Sequence, residues 1–289
     1  MKGLMRTNGQ RESNGKSRLS RGRFSEYYGG WALIAGASAG LGAAFARALA
    51  GRGLNLFLIA RRESLLNSLA EDCRRQFGVK AQILACDLGD PDFVEKIQVA
   101  VSGLEVNVVV YNAAFAPMGE FATTAPDDLL RVIDINVRGP VRLARALVPP
   151  MVERRRGAVI LMSSLAGNQG TPRIATYAAS KAFNRILAEG LWHELRSQGV
   201  QIVACCAGAI RTPGYASAAA RDAPGTLDPD TVAEKAIRAL GRGPLVVPGF
   251  INQLAAWVMG RLLPRRMAIG IMAGSTDTLG RARRPKVSS

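Results

Sequence analysis

The sequence predicts an α/β fold, a single domain built on a doubly wound, mostly parallel sheet of about seven strands. Three observations predict it. Short apolar runs alternate regularly with helix-patterned segments along the chain. Those runs are apolar throughout rather than at every second position, as strands covered on both faces are. Aliphatic residues and alanine dominate while aromatics make up 6%, which suits helices packed closely on such a sheet.

Taken in order, residues 1–26 are polar and rich in Gly, Ser and Arg, and a disordered basic tail is expected there. A catalytic-size domain is expected over 27–248. Residues 31–35 form a first strand, followed at once by glycines and an alanine-rich helix to about residue 52. Strands are expected at 54–60, 81–85, 106–111 and 158–164, then at 200–205 and near 245–247. Helices are expected at 63–77, 91–101, 126–152, 176–198 and 229–240, the second opening with a proline in its first turn. A Gly/Pro/Ala-rich loop runs to about residue 227. Residues 249–274 read as an apolar helical extension of two short helices broken at Pro264, and 275–289 as a basic flexible tail.

The net charge of +16 raises a nucleic-acid reading, which its distribution removes. Residues 1–26 carry seven Lys/Arg and two Glu, a net of +5. Residues 261–289 carry seven Lys/Arg and one Asp, a net of +6, leaving +5 for the 234 residues between. The excess sits at the ends, so no nucleic-acid partner is expected. No run approaches the eighteen or so apolar residues of a membrane span. The N-terminus lacks the apolar core of a secretory signal. Cys73, Cys86, Cys205 and Cys206 show no metal-ligand spacing, so no metal is expected and a reducing cytoplasm is the natural compartment. The apolar side of 249–274 calls for cover: the cleft, a second subunit, or a peripheral membrane contact aided by Arg261, Arg265 and Arg266.

The side chains that carry chemistry lie at strand ends. Tyr177 and Lys181, four residues apart, project from one helix face. An ammonium beside a phenol favours the phenolate. Ser164 closes the fifth apolar run, where open α/β sheets place their ligands. After the first strand comes Gly36-Ala37-Ser38-Ala39-Gly40-Leu41-Gly42, whose glycines let the backbone approach a pyrophosphate held at the helix N-terminus. At the end of the second strand stand Arg61-Arg62, where an NAD-binding chain would carry a carboxylate for the ribose. The pair suits the 2′-phosphate of NADP. Asp87, in Asp87-Leu88, is placed for an adenine amino group or a helix cap. Asn112-Ala113-Ala114 would let backbone run beside the adenosine ribose. His193 is sixteen residues past Tyr177, more than ~20 Å along a helix, and is set aside.

With these residues in place, the chain resembles the short-chain dehydrogenase/reductase family over roughly residues 29–248. Six motifs agree in order and spacing: the glycine loop 36–42, Asp87-Leu88, Asn112-Ala113-Ala114, Asn136, Ser164 and Tyr177-x-x-x-Lys181. The resemblance implies a Rossmann fold and hydride transfer between a nicotinamide and a carbonyl or alcohol carbon. It implies Tyr177 as general acid/base, with Lys181 lowering its pKa and binding the nicotinamide ribose. Ser164 would polarise the substrate oxygen, and Asn136 would hold a water linking Lys181 to solvent. It places Gly208, Ile210 and Thr212 beside the nicotinamide.

The chain departs from the family at Ala35 for Thr, at Tyr111-Asn112-Ala113-Ala114 for Asn-Asn-Ala-Gly, and at Ala207-Gly208 for Pro-Gly. None of these removes a reacting group. The expectation is an NADP(H)-dependent carbonyl reductase/alcohol dehydrogenase acting on a hydrophobic substrate (acyl, steroid-like or lipid-like). Its alternatives are an NAD-dependent enzyme of the same family and an idle dinucleotide-binding sensor or scaffold. A homodimer or homotetramer through the helices at 126–152 and 176–198 is expected from the resemblance.

Overall fold

The computed structural model describes residues 21–216 and 222–282. The chain alternates as expected, from α1 (Arg21–Tyr28), β1 (Trp31–Ala35) and α2 (Gly40–Ala50) to β2 (Asn55–Ala60), α3 (Glu63–Phe77) and β3 (Ala81–Ala85). It continues with α4 (Phe93–Ala100), β4 (Val106–Tyr111), α5 (Pro126–Ile133), α6 (Gly139–Glu153), β5 (Gly157–Ser164) and α7 (Ala175–Leu195). The last part holds β6 (Val200–Ala207), α8 (Pro213–Ala216), α9 (Pro229–Ala239), β7 (Leu245–Val246), α10 (Phe250–Trp257) and α11 (Arg265–Ala282). The seven strands form one parallel sheet in the order β3-β2-β1-β4-β5-β6-β7. Its order reverses between β1 and β4, and the crevice outside the carboxyl ends of those strands is where such sheets bind ligands.

Alternate residues of each strand feed two cores. Ile34, Leu58, Val110 and Ile160 pack with Phe45, Leu49 and Leu66 beneath α2, α3 and α9. Leu33, Ile59, Val109 and Val159 pack with Phe93, Ile97, Leu143 and Leu195 on the other face. Both faces are thus sealed, which is why the central strands carry no polar stripe.

Three boundaries differ from expectation. A helix, α1, already covers Arg21–Tyr28 where a tail was expected to residue 26, because it buries Phe24 and Tyr28 at helical spacing and the Tyr28 phenol donates to Gln201 Oε1 at 2.5 Å. The remainder of the expected N-terminal tail, residues 1–20, lies outside the described residues. The helix expected at 126–152 is continuous but carries a π-helical turn, Asp134–Arg138, between α5 and α6. At the C-terminus, α11 runs to Ala282 where a flexible tail was expected from 275. Buried Thr276 on its inner face carries the helix onward, and 283–289 lie outside the described residues. The break at Pro264 is present.

Candidate active site

The loop from β1 to α2 is shaped by glycine. Gly36 has φ +85°, and a Cβ there would lie 2.7 Å from the Ala113 nitrogen; a Cβ at Gly42 would collide with the Gly36 carbonyl. At Gly40, φ +54°, an added Cβ would lie 2.8 Å from Thr212 Cγ2, so the segment after β6 folds back over this loop. The α2 N-terminus follows Ala39, which has no side chain to cap it, and its amides face the end of the sheet. Beside it opens a cleft of about 320 Å³ lined by Gly36, Ser38, Ala39, Arg61, Arg62, Asp87, Leu88, Asn112, Ala113 and Ala114. The structure thus gathers the cofactor residues predicted from sequence into one place. Leu41 is buried behind the loop. Asn112 Nδ2 donates to the Gly36 carbonyl at 2.9 Å, which ties the β4 loop to the glycine loop.

The arginine pair is divided in its work. Arg62 donates to Ser38 Oγ at 2.9 Å and so reaches the glycine loop, while Arg61, largely exposed, stands 4.0 Å from Asp87. Asp87 is neither a helix cap nor a free acceptor. Its Oδ1 accepts from the Gly89 amide at 2.9 Å and its Oδ2 from Arg131 at 2.5 Å. Burial works against its charge, but the Gly89 amide and the two guanidiniums hold the carboxyl below its ordinary value. A dinucleotide fits this donor set: glycine-framed backbone, a helix N-terminus, and two cations where a 2′-phosphate would lie.

Ser164 ends β5, and its Oγ accepts from the Ala166 amide at 3.2 Å. The same hydroxyl lies close enough to the part-buried Tyr177 phenol to lower its pKa. One turn along α7, Lys181 is 3% exposed, with its Nζ donating to the Met162 carbonyl at 2.9 Å and standing 5.5 Å from the Tyr177 ring centroid. Ser163 Oγ returns a bond to the Lys181 carbonyl at 2.7 Å. Burial pushes the Tyr177 phenol above its ordinary value, and Ser164 pulls it part-way back. Lys181 Nζ thus gives one donor to a backbone carbonyl and stands beside the phenol ring, while Ser164 acts on the phenol directly. Burial also pulls Lys181 down to about 8.

Asn136 lies within the π-helical turn and is fully buried. Its Nδ2 donates to the Phe115 carbonyl at 2.9 Å and to Ser180 Oγ at 3.0 Å, and its Oδ1 accepts from the Phe115 amide at 2.8 Å. Its side chain is thus satisfied by three protein hydrogen bonds. It joins the loop after β4 to α7, one residue before Lys181. Gly208 abuts Asn252 so closely that a Cβ would lie 2.8 Å from its Oδ1, Ile210 bridges to Leu227, and Thr212 lies on Gly40, so all three line the return over the glycine loop. Across Tyr177 from Ser164, a hollow lined by Pro117, Phe121, Leu129, Val132 and Ile174 is largely apolar, with Arg173 among its walls. No cluster of His, Cys, Asp and Glu among the described residues has the form of a metal site.

The family described as short chain dehydrogenase matches residues 30–223, about two thirds of the sequence. The chain belongs to the short-chain dehydrogenase/reductase family. It is 34% identical over 177 residues to a very-long-chain 3-oxoacyl-CoA reductase of Anas platyrhynchos, covering 60% of this chain and 57% of that one. It is 29% identical over 258 residues to the reductase of that name from Mus musculus, covering 87% of this chain and 81% of that one. The chain thus spans little more than half the length of most of these curated relatives. Among solved structures it is similar to one described for 7beta-hydroxysteroid dehydrogenase stereoselectivity (28% identity, TM-score 0.82, covering 86% of this chain and 98% of that one). A short-chain dehydrogenase from Sphingobium yanoikuyae in complex with NADPH shares 26% identity at TM-score 0.70, covering 90% and 98%.

For a short-chain dehydrogenase/reductase, four further residues hold this site together without standing out in the sequence. Gly167 lets the turn after Ser164 pack on α7: a Cβ there would lie 2.6 Å from the Ala182 nitrogen and 2.8 Å from the Lys181 carbonyl carbon. Asn252 clamps Gly225 and Pro248. Tyr111, where the family usually has Asn, donates to the Ile135 carbonyl at 2.6 Å, and Gly139 leaves room for its phenol. The glycines were visible signals; the partners of Tyr111 and Asn252 were not.

Two predictions follow from this geometry. Lys181 is charged in both folded and unfolded chains below about 8, and its burial then costs about 3 kcal/mol. Between about 8 and the ordinary lysine value only the unfolded chain still holds the proton, so stability rises with pH there. Lys181→Met should be at least as stable as wild type at neutral pH and should lose that rise, as read by urea unfolding across pH. Tyr111→Phe should cost about 1–2 kcal/mol by leaving the Ile135 carbonyl without its donor. Gly139→Ala should cost about 1–3 kcal/mol by collision with the same phenol. The double variant should lose less than the sum, a coupling a double-mutant cycle measures.

Proposed function

We propose that this chain is an NADP(H)-dependent reductase interconverting a ketone and an alcohol on a hydrophobic acyl substrate, with 3-oxoacyl thioesters as the first class. The observation that carries it is the Ser164–Tyr177 hydroxyl pair at the end of β5, with Lys181 sealed one turn away, beside a cleft holding Gly36, Ser38 and Arg62. Bound NADPH supplies the hydride, which adds to the carbonyl carbon as the C=O π electrons move onto oxygen. That oxygen accepts the Tyr177 proton, and Ser164 donates to it while its charge develops. The resulting tyrosinate is stabilised by the adjacent ammonium, and a lysine titrating near 8 can pass a proton at neutral pH. Asn136 acts by placement, fixing the Phe115 peptide against Ser180. Asp87 orients Arg131 and Arg61 at the adenosine end rather than taking part in the chemistry.

The acyl class is supported by the relatives named as very-long-chain 3-oxoacyl-CoA reductases and by the apolar hollow beside Tyr177. A steroid-like ketone is the second reading, favoured by the similarity to the structure described for 7beta-hydroxysteroid dehydrogenase. Exposed Val141 on α6 and Phe183 and Ile186 on α7 support a subunit contact through those helices. The four cysteines, all free and buried, suit a reducing compartment.

NADPH oxidation with 3-oxoacyl thioesters of rising chain length, steroid ketones and small ketones tests the reading. Tyr177→Phe should lower turnover by about 10²–10⁴-fold while NADPH affinity stays close to wild type. Substantial residual turnover would assign the proton to another group, and tight NADPH binding with no turnover of any ketone would favour a redox sensor. Replacing Arg61 and Arg62 together by Ala should raise the KM for NADPH by about tenfold or more and leave that for NADH unchanged. An equal effect on both cofactors would remove the 2′-phosphate role.

A further inference from the structure

The C-terminal unit differs from the rest of the surface. Seven of the sixteen large apolar side chains exposed among the described residues fall between Phe250 and Ile271. On α10, Phe250 is 77% exposed, and Ile251, Leu254 and Trp257 are each at least half exposed. Their spacing of one, four and seven residues sets them along one stripe of the helix. The opposite side is seated: Asn252 is buried and donates to the Gly225 carbonyl at 3.0 Å and the Pro248 carbonyl at 2.9 Å. Helix α11 repeats the pattern, with Ala268 and Thr276 turned in and Met267 and Ile271 turned out. Each helix is fixed to the body on one side and presents apolar side chains on the other.

Along residues 235–276 the charge has one sign. No Asp or Glu occurs between Glu234 and Asp277, while Arg261 and Arg266 are exposed between and beside the two helices. Arg265 serves differently: its Nη1 donates to the Asn168 carbonyl at 2.8 Å and ties α11 to the turn after β5. A second copy seated here about a twofold axis would bring these arginines against their own counterparts, with no carboxylate on the two helices' segment 235–276 to pair them. An anionic bilayer satisfies both parts of the face. Headgroup phosphates and carboxylates accept from the guanidiniums, and the acyl boundary takes Phe250, Leu254 and Trp257. No helix among the described residues is long and apolar enough to cross a membrane, so the contact lies along the surface.

We infer that α10, the turn after it and the start of α11 form a docking face for an anionic lipid bilayer. The inference rests on this surface and does not depend on the substrate proposed above. Flotation of the full chain with vesicles of phosphatidylcholine, with and without phosphatidylserine, tests it. Wild type should partition onto the phosphatidylserine vesicles. Phe250→Ser with Trp257→Ser should lower that partition by tenfold or more, with NADPH affinity and thermal midpoint kept as folding controls. Arg261→Ala with Arg266→Ala should lower it roughly twentyfold and flatten its salt dependence. Binding that survives the Phe250/Trp257 change would come from charge elsewhere in the chain and would overturn the inference. So would a wild type that ignores vesicles but sediments as a dimer which the same change dissociates, since the face would then belong to a second copy.

Discussion

The site depends on one lysine ammonium kept out of water. Lys181 lies between β5 and α7, its charge met by a single backbone carbonyl, that of Met162. Burying it so is costly, and the surrounding structure is organised to enforce it. Ser163 holds the Lys181 peptide from the strand side, and Gly167 brings the turn after β5 close enough to close the space. The same packing sets the Ser164 hydroxyl beside the Tyr177 phenol at the carboxyl end of β5. A residue that weakens the fold is thus retained at the point where the proposed proton transfer needs a group titrating near neutrality.

The π-helical turn between α5 and α6 is the second constraint. A widened turn displaces side chains from the register of a regular helix. Here it delivers Asn136 to the Phe115 peptide and to Ser180, so the cofactor-side loop and the lysine-bearing helix share one hydrogen-bonded junction. Tyr111 and Gly139 hold that turn from below, the phenol taking the Ile135 carbonyl and the glycine making room for it. The departure of this chain from the family's Asn at Tyr111 is therefore accompanied by contacts of its own.

Much of this was legible in the residues. Strand positions, the glycine loop, the Arg61-Arg62 pair and the Ser164/Tyr177/Lys181 set follow from local patterns, because each needs particular residue types at fixed spacing. Other features were not, because they depend on partners distant in sequence. Asp87 gains Arg131, forty-four residues on, as a partner that no local pattern announces. Asn136 likewise meets Phe115 and Ser180 only through packing. The N-terminal boundary was misplaced because Phe24 and Tyr28 lie in a stretch whose composition is that of a tail, and only the groove they fill makes them core.

By itself the sequence determined the class of fold and the chemical inventory of the site. Alternation of sealed strands with helices admits few topologies, and glycines, arginines and the tyrosine–lysine spacing are local requirements of backbone and helix geometry. Tertiary structure alone decided how those groups are energised and where the molecule faces outward. It set the lysine ammonium on the Met162 carbonyl beside the phenol ring, and Ser164 within reach of that phenol. It also left Phe250, Ile251, Leu254, Trp257, Met267 and Ile271 exposed. Burial and pairing are properties of groups brought together by packing, and no spacing along the chain encodes them.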